Sequence, residues 1–207
     1  RRMYELGVRM MTLTWNHENE LASPQLNPGG VLVPQTEKGL TETGFAFLAE
    51  MERLHMIVDV SHLSDKGFWD IIEHGTRPFA ASHSNCRALA PHTRNLTDEM
   101  IRALADRGGI AGLNYYAPFL DTDPIHPENC RSTVELIAKH AAHYKQVGGA
   151  QMIALGSDFD GIDGPHQLEN ASYLPLLADA LRKEGFTEDE VEGVYYRNAM
   201  RFFTENL

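Results

Sequence analysis

Five short, nearly unbroken apolar runs, each followed by a segment of helical periodicity, constrain this chain more than any other feature. They are Val8 to Thr14, Met56 to Val60, Pro78 to Ala81, Ile110 to Tyr115 and Met152 to Gly156. A strand with one solvated face alternates apolar and polar residues, whereas a continuous run reads as a strand covered on both faces of a parallel sheet. The intervening segments have helix punctuation of their own. Thr43 is placed to cap a helix from about Gly44 to Arg53, with Phe45, Leu48, Met51 and Leu54 at helical spacing. Ser64 caps the next, which has Phe68, Ile71 and Ile72 on its apolar face and Gly75 at its end. Thr97 precedes Met100, Ile101 and Leu104, with Gly108 and Gly109 as the stop, and Ser132 opens a longer helix through Val134, Ile137, Ala138, Ala141 and Tyr144. Thr187 and Glu190 have the spacing of a capping box before Val191 and Val194.

Strands interleaved with helices in this way define an α/β domain with a parallel sheet. A doubly wound sheet and a (β/α)8 barrel both satisfy the pattern. No G-x-G-x-x-G or G-x-x-x-x-G-K-[ST] follows a strand, so the nucleotide-binding folds lose their main support. The barrel gains from a cluster of polar residues after each run: Thr14-Trp15-Asn16, Asp59 with Ser61-His62, Ser82-His83-Ser84, Asn114-Tyr115-Tyr116 and Ser157-Asp158-Phe159-Asp160. Barrel active sites are built from that rim. Five strands are fewer than eight, so residues 1–207 are expected to form one domain, the C-terminal portion of a barrel with about five βα units; about three strands would precede Arg1. A start at Arg1, with a strand within eight residues, likewise reads as the middle of a domain.

Composition narrows the partners. Eighteen Lys and Arg against 29 Asp and Glu give a net charge of -11, without the basic cluster that nucleic acid or an anionic membrane requires. Two cysteines in unrelated contexts, Cys86 and Cys130, support neither a disulfide scaffold nor a cysteine zinc site. No apolar run reaches the ~20 residues of a membrane span. A cytoplasmic location is the expectation, any signal peptide lying before Arg1.

His62 and His83 close successive strands at equivalent points, which would set two imidazoles side by side at a barrel mouth, an arrangement suited to a divalent metal. Asp158 ends the last strand. It could bind a metal, act as a general base or cap the next helix, and its place directly at the strand end favours it over Asp160 for pointing into the mouth. Asp59 is a candidate to orient a ligand histidine, or a plain strand-end acceptor. Arg94 is either a surface arginine or a fork for a substrate carboxylate. His140 and His143, at i and i+3 on a helix, read as a solvated face. His17 lies near the rim, and His55, His74, His92, His126 and His166 belong to no constellation.

Four of these segments together resemble the membrane (renal) dipeptidase family, peptidase family M19: Leu6 to Asn16, Val58-Asp59-Val60-Ser61-His62-Leu63-Ser64, Ala81-Ser82-His83-Ser84-Asn85 with Arg94-Asn95 eleven residues on, and Gly156-Ser157-Asp158-Phe159-Asp160-Gly161. The resemblance runs in order over essentially the whole chain. It implies a (β/α)8 barrel related to the amidohydrolases, two zinc ions per active site, and hydrolysis of dipeptides, often with a D-residue tolerated at the C-terminal position. His62 and His83 resemble the two histidine ligands of one zinc, and Asp158 the aspartate that serves the other and handles the proton. Arg94 resembles the arginine that grips the dipeptide carboxylate, with Tyr116 and Asn16 as further substrate contacts. The family's His-x-Asp pair and bridging glutamate are not in this sequence. Where some members have a carbonyl-contacting histidine after the Thr-Leu-Thr run, Trp15 and Asn16 stand here, and His17 is no automatic substitute.

The implied activity is zinc-dependent hydrolysis of dipeptides by a metal-bound hydroxide, with Asp158 as proton shuttle. Two other readings compete: a catalytically incomplete barrel fragment that binds one metal or none, and another amidohydrolase acting on a cyclic amide, for which Arg94 has less purpose. A homodimer is an option that the sequence leaves open.

Overall fold

The computed structural model describes residues 1–25, 33–123, 126–164 and 166–207. Among them, five strands form one parallel sheet: β1 (Met10–Thr12), β2 (Ile57–Asp59), β3 (Ala80–Ala81), β4 (Ile110–Leu113) and β5 (Ile153–Leu155). Their spatial order is their chain order, β1-β2-β3-β4-β5, with pairs such as Met10 with Ile57, Ala80 with Ile110 and Gly112 with Ala154. A doubly wound sheet reverses its order at a switch point. Sequential winding without reversal is that of a (β/α) barrel, and the five strands trace an arc of one.

The strands are shorter than the apolar runs for a visible reason. At the end of β2 the Asp59 carboxylate accepts the N–H groups of Ser61 and Ser82. Those amides are therefore lost to the sheet ladder, and the backbone turns away into the rim.

The helices are α1 (Arg2–Glu5), α2 (Glu42–Arg53), α3 (Asp65–His74), α4 (Asp98–Asp106), α5 (Ala117–Leu120), α6 (Val134–Gly148), α7 (Leu174–Lys183), α8 (Glu188–Glu192) and α9 (Asn198–Asn206). Ser64 and Thr97 cap α3 and α4 as the sequence predicts, Gly75 closes α3, and Thr187 with Glu190 makes a full capping box on α8. Two caps differ from expectation. Thr41, not Thr43, caps α2: its backbone is extended and its hydroxyl accepts the Gly44 N–H, while Thr43 already lies inside the first turn. Thr133, not Ser132, caps α6, because the Ser132 hydroxyl donates to the Tyr115 carbonyl and ties the helix to the end of β4.

Two apolar layers hold the sheet. The larger packs Val58, Ala81, Ala111, Leu113 and Ile153 against the helices, with Met51, Phe68, Ile71, Leu104, Ile137 and Tyr144 among the side chains that meet them. On the opposite face Ile57, Ala80, Ile110 and Ala154 pack against Phe202 of α9, with Met10, Ala199 and Phe203 at the margin. By alternation Thr12, Asp59 and Ser82 share this second face further along the strands. It is thus apolar toward the strand N-termini and polar toward their C-termini. Among the described residues, no helix is long and apolar enough to cross a membrane.

Gly112 and Gly156 fix how closely the strand ends approach. A Cβ on either would come within 2.0 and 2.1 Å, respectively, of the Ser82 carbonyl oxygen. No side chain fits in that gap, so β3, β4 and β5 converge only with glycine at both positions.

The histidines of α6 do not form a solvated face. His140 is buried, its Nδ1 accepting the Cys86 N–H and its Nε2 donating to the Leu120 carbonyl. His143 pairs with Asp98 at 2.7 Å. Burial pushes the His140 pKa down to about 4. In the unfolded chain an imidazole takes up its proton near pH 6.5, while in the folded protein His140 resists it to about pH 4. The unfolded state therefore binds more protons between those values, and His140 removes stability as pH falls through the window, by on the order of 3 kcal/mol at its lower end. His140→Gln lacks this titration. The stability gap between wild type and variant, from urea denaturation at pH 7 and pH 4, should shrink by about that amount; a constant gap would contradict a buried neutral His140.

Candidate metal and substrate site

The C-terminal ends of the five strands hold most of the residues that the sequence singled out. Two of them sit in backbone conformations that a side chain seldom adopts: His62 has φ 73° and Asp158 φ 61°. Left-handed backbone costs a non-glycine residue roughly 1–2 kcal/mol. Here it turns the chain sharply at the ends of β2 and β5 and delivers both side chains to the same mouth.

Asp59 organises this rim. Besides the Ser61 and Ser82 amides it accepts the hydroxyls of Thr12 at 2.8 Å and Ser82 at 2.6 Å, which joins β1, β2 and β3 at one carboxylate. The Ser82 hydroxyl proton is thereby committed to Asp59, so its oxygen accepts from Nδ1–H of His83 at 2.7 Å. Asp59 thus orients His83 through Ser82 rather than directly. His62 is set from the other side, its Nδ1–H donating to Oδ1 of Asn16 at 2.8 Å. Asn16, predicted as a substrate contact, lines the pocket and also fixes the tautomer of His62.

With both Nδ1 atoms protonated, both Nε2 atoms present lone pairs, and they face each other 2.8 Å apart. Two converging lone pairs repel unless a proton or a cation lies between them. A proton is disfavoured, since burial, and after it the Arg94 charge, pushes both imidazoles below their ordinary pKa, His62 to about 2. Two neutral Nε2 donors with their outer nitrogens held by oxygen atoms are the usual presentation of histidine to zinc. The pair fits a metal. Among the described residues, however, no group of three or more His, Cys, Asp or Glu side chains gathers into a cage, so Asp158 does not join the two imidazoles in one ligand cluster.

Asp158 instead spans two lobes of the cleft. One lobe, ≈ 310 Å³, is lined by Asn16, His62, His92, Arg94, Tyr116, Phe119 and Asp158. The other, ≈ 360 Å³, is lined by Thr12, Thr14, Asn19, His62, His83 and Asp158. Trp15, 64% exposed, overhangs both. Oδ2 of Asp158 accepts from Nδ2 of Asn114, itself locked by reciprocal hydrogen bonds with Asn85. Asp160, by contrast, is exposed in the turn and lines neither lobe.

Arg94 is not a surface arginine. It is 5% exposed, its Nε has no hydrogen-bond partner, and its guanidinium lies over the Phe119 ring, 5.4 Å from the centroid. Burial lowers its pKa to about 10, which leaves it a cation at neutral pH. No carboxylate among the described residues pairs with it. An unpaired buried charge is costly enough that its retention points to an anionic ligand.

The loop bearing Arg94 rests on a polar network absent from the sequence reading. Arg87 makes a two-pronged pair with Asp65, at 2.7 and 2.8 Å, and donates to the carbonyls of Thr93 and Asn95. Gln25 bridges Asp65 and the Thr93 carbonyl. His92 is also missed by the sequence reading. It lines the Arg94 lobe, its ring 4.5 Å from that of Phe119.

The chain is similar to known proteins over essentially its whole length. Residues 1–206 match the membrane dipeptidase family, peptidase family M19. An uncharacterised protein of Klebsiella pneumoniae is 37% identical over 198 residues, covering 96% of this chain and 72% of its own length. The crystal structure of a dipeptidase, a metallopeptidase of family M19, superposes with a TM-score of 0.87 at 31% identity, covering 99% of this chain and 60% of its own. A Rhodobacter sphaeroides metallopeptidase liganded with a phosphinate mimic of the dipeptide L-Ala-D-Ala gives a TM-score of 0.86 at 28% identity, covering 100% and 58%. The fold is part of the barrel of such metallopeptidases, and the chain belongs to the membrane dipeptidase family. It spans about three fifths of the solved structures that it matches.

The Asp65–Arg87 pair is well enough shielded to test the support beneath Arg94. Asp65→Ala leaves a largely buried guanidinium without its counter-charge, a change worth about 3–5 kcal/mol of stability. Urea denaturation should show that loss at unchanged m-value, and a loss below about 1 kcal/mol would place the pair with ordinary surface bridges.

Proposed function

We propose that the protein is a zinc-dependent dipeptidase that recognises the free carboxylate of its substrate through Arg94, and that this chain supplies the C-terminal portion of its barrel. The observation behind the reading is the buried Arg94 guanidinium, without a partner carboxylate among the described residues, in the same ≈ 310 Å³ lobe as His62. A fixed cation in a small lobe that also contains a metal-suited imidazole, His62, measures a short substrate from its C-terminus. A longer peptide puts an amide where Arg94 needs a charge. The dipeptide mimic bound by the Rhodobacter relative supports the same substrate class.

His62 and His83 would hold one zinc of the pair that the family uses, the remaining ligands coming from outside the described residues. Zinc bound there supplies Lewis acidity toward the scissile carbonyl and makes a water more acidic. The other tasks fall to side chains. Arg94 binds and orients the carboxylate, and Tyr116 and Phe119, packed edge to face at 5.1 Å, bound the lobe where the C-terminal side chain lies. Asp158, at the junction of the two lobes, takes the proton of the attacking water and returns it to the leaving amine. Its hydrogen bond from Asn114 holds the carboxylate in place for both transfers. Trp15 shields the junction from solvent. A cyclic-amide substrate has no carboxylate for Arg94, which favours the dipeptide over that alternative.

The intact enzyme should cleave a dipeptide far faster than the same dipeptide with its C-terminus amidated, and Arg94→Gln should lower kcat/KM for the free acid about 100-fold, the worth of a two-pronged charged contact. Equal rates on acid and amide would remove the carboxylate reading. His62→Ala and His83→Ala should each lower zinc content by elemental analysis and lower turnover by orders of magnitude; full zinc occupancy in both would refute the ligand assignment.

A further inference from the structure

We infer that His92 is a second substrate-binding residue, donating a hydrogen bond from Nε2 to the same carboxylate that Arg94 receives. This rests on the dipeptidase reading above and adds a residue to it.

The protonation of His92 follows from its neighbours. The backbone N–H of Arg94 donates to Nδ1 of His92 at 3.1 Å. An amide N–H can only donate, so Nδ1 presents a lone pair and the ring proton of the neutral imidazole is on Nε2. Neutrality is secured by burial, by the Arg94 charge and by Arg87, which together hold the pKa of His92 down to about 4. At neutral pH the residue is therefore a donor with no charge of its own.

Its orientation is fixed as well. The ring lies against Phe119 at 4.5 Å and 51°, and the backbone is held by His92 N–H to the Ala90 carbonyl and by Asn95 N–H to the His92 carbonyl. With Nδ1 engaged, Nε2 is the ring's remaining polar atom, and it has no hydrogen-bond partner among the described residues. It is not shut away from solvent, and the residue lines the lobe that contains Arg94 and Tyr116. A pre-set N–H beside a buried cation is complementary to a carboxylate, whose two oxygens offer more acceptor sites than one guanidinium fills. It is less suited to a cationic or purely apolar group.

The alternative is that His92 only shapes the loop. Variants separate the two roles. His92→Asn keeps an acceptor near Nδ1 and removes the donor into the lobe; His92→Phe keeps the packing on Phe119 and also removes it; His92→Gln places an amide N–H near Nε2. In the intact zinc-loaded enzyme, Asn and Phe should each raise KM for a dipeptide about 10-fold with kcat changed less than about twofold, the worth of one charge-assisted hydrogen bond, and Gln should recover most of it. With the C-terminally amidated dipeptide the same variants should change KM little. Calorimetric Kd values for a phosphinate dipeptide mimic with a free carboxylate should rise in the same ratio. An unchanged KM in both variants that lack a donor at the Nε2 position, or equal increases for acid and amide, overturns the role of His92 while the discrimination by Arg94 stands. Loss of acid-over-amide preference in the wild-type enzyme overturns both.

Discussion

One carboxylate, Asp59, decides where the sheet stops and the site begins. Its four accepted hydrogen bonds draw backbone amides of Ser61 and Ser82 out of the ladder and join the ends of three strands through side chains. A buried carboxylate is tolerable only when donors surround it. Those donors come from β1, from the turn after β2 and from the end of β3, so the rim must assemble as a unit. Its last member, Ser82, passes the order on to His83. The fold's need to satisfy a buried charge and the site's need for an oriented imidazole are met by the same hydrogen bonds.

The other fixed charge, Arg94, is handled in the opposite way. Asp59 is saturated by its neighbours; Arg94, among the described residues, is not. Its loop is restrained from behind by Asp65, Arg87 and Gln25, by the Asn95 side chain bonded to the Ala90 and Phe119 carbonyls, and by the His92 ring. The guanidinium itself is left with an unpaired Nε. Support for the backbone together with unsatisfied side-chain donors is the arrangement of a binding group held ready, since ligand capture then costs little ordering. The loop spends its polar groups on the scaffold and keeps one charge for the pocket.

Much of this was legible in the sequence, and the rest was hidden for identifiable reasons. The parallel sheet followed from apolar runs without alternation, and His62, His83 and Asp158 stood out because polar residues at successive strand ends have no part in a core. The caps of α2 and α6 were displaced by one or two positions because Thr41 and Thr43, or Ser132 and Thr133, are locally equivalent; only the Tyr115 carbonyl, 17 residues away from Ser132, decides between the latter. His140 does carry a local signal. It lies three residues after Ile137 and four before Tyr144, both buried, so it falls on the inward stripe of α6 whatever the charge of its neighbours. Asp65, Arg87 and Gln25 gave no local signal, because the bonds that tie Asp65 and Gln25 into the network join residues 22 to 68 positions apart.

The proposed metal site and the sheet are open on the same side among the described residues. Among the described residues β1 and β5 each pair with a single strand, so the arc has two free edges. The His62–His83 pair stands over β2 and β3, with Asp158 at the end of β5, and the two imidazoles fall short of the three or four protein ligands of a zinc centre. A parallel sheet wound in sequential order tolerates free edges poorly, and a barrel removes them by closing. Strands that closed this arc would bring their own C-terminal ends to the same mouth, opposite the facing Nε2 atoms. Closure of the barrel and completion of the proposed metal site would therefore be one event: segments that satisfied the open edges would also be placed to relieve the repulsion between His62 and His83 by helping to hold a cation there.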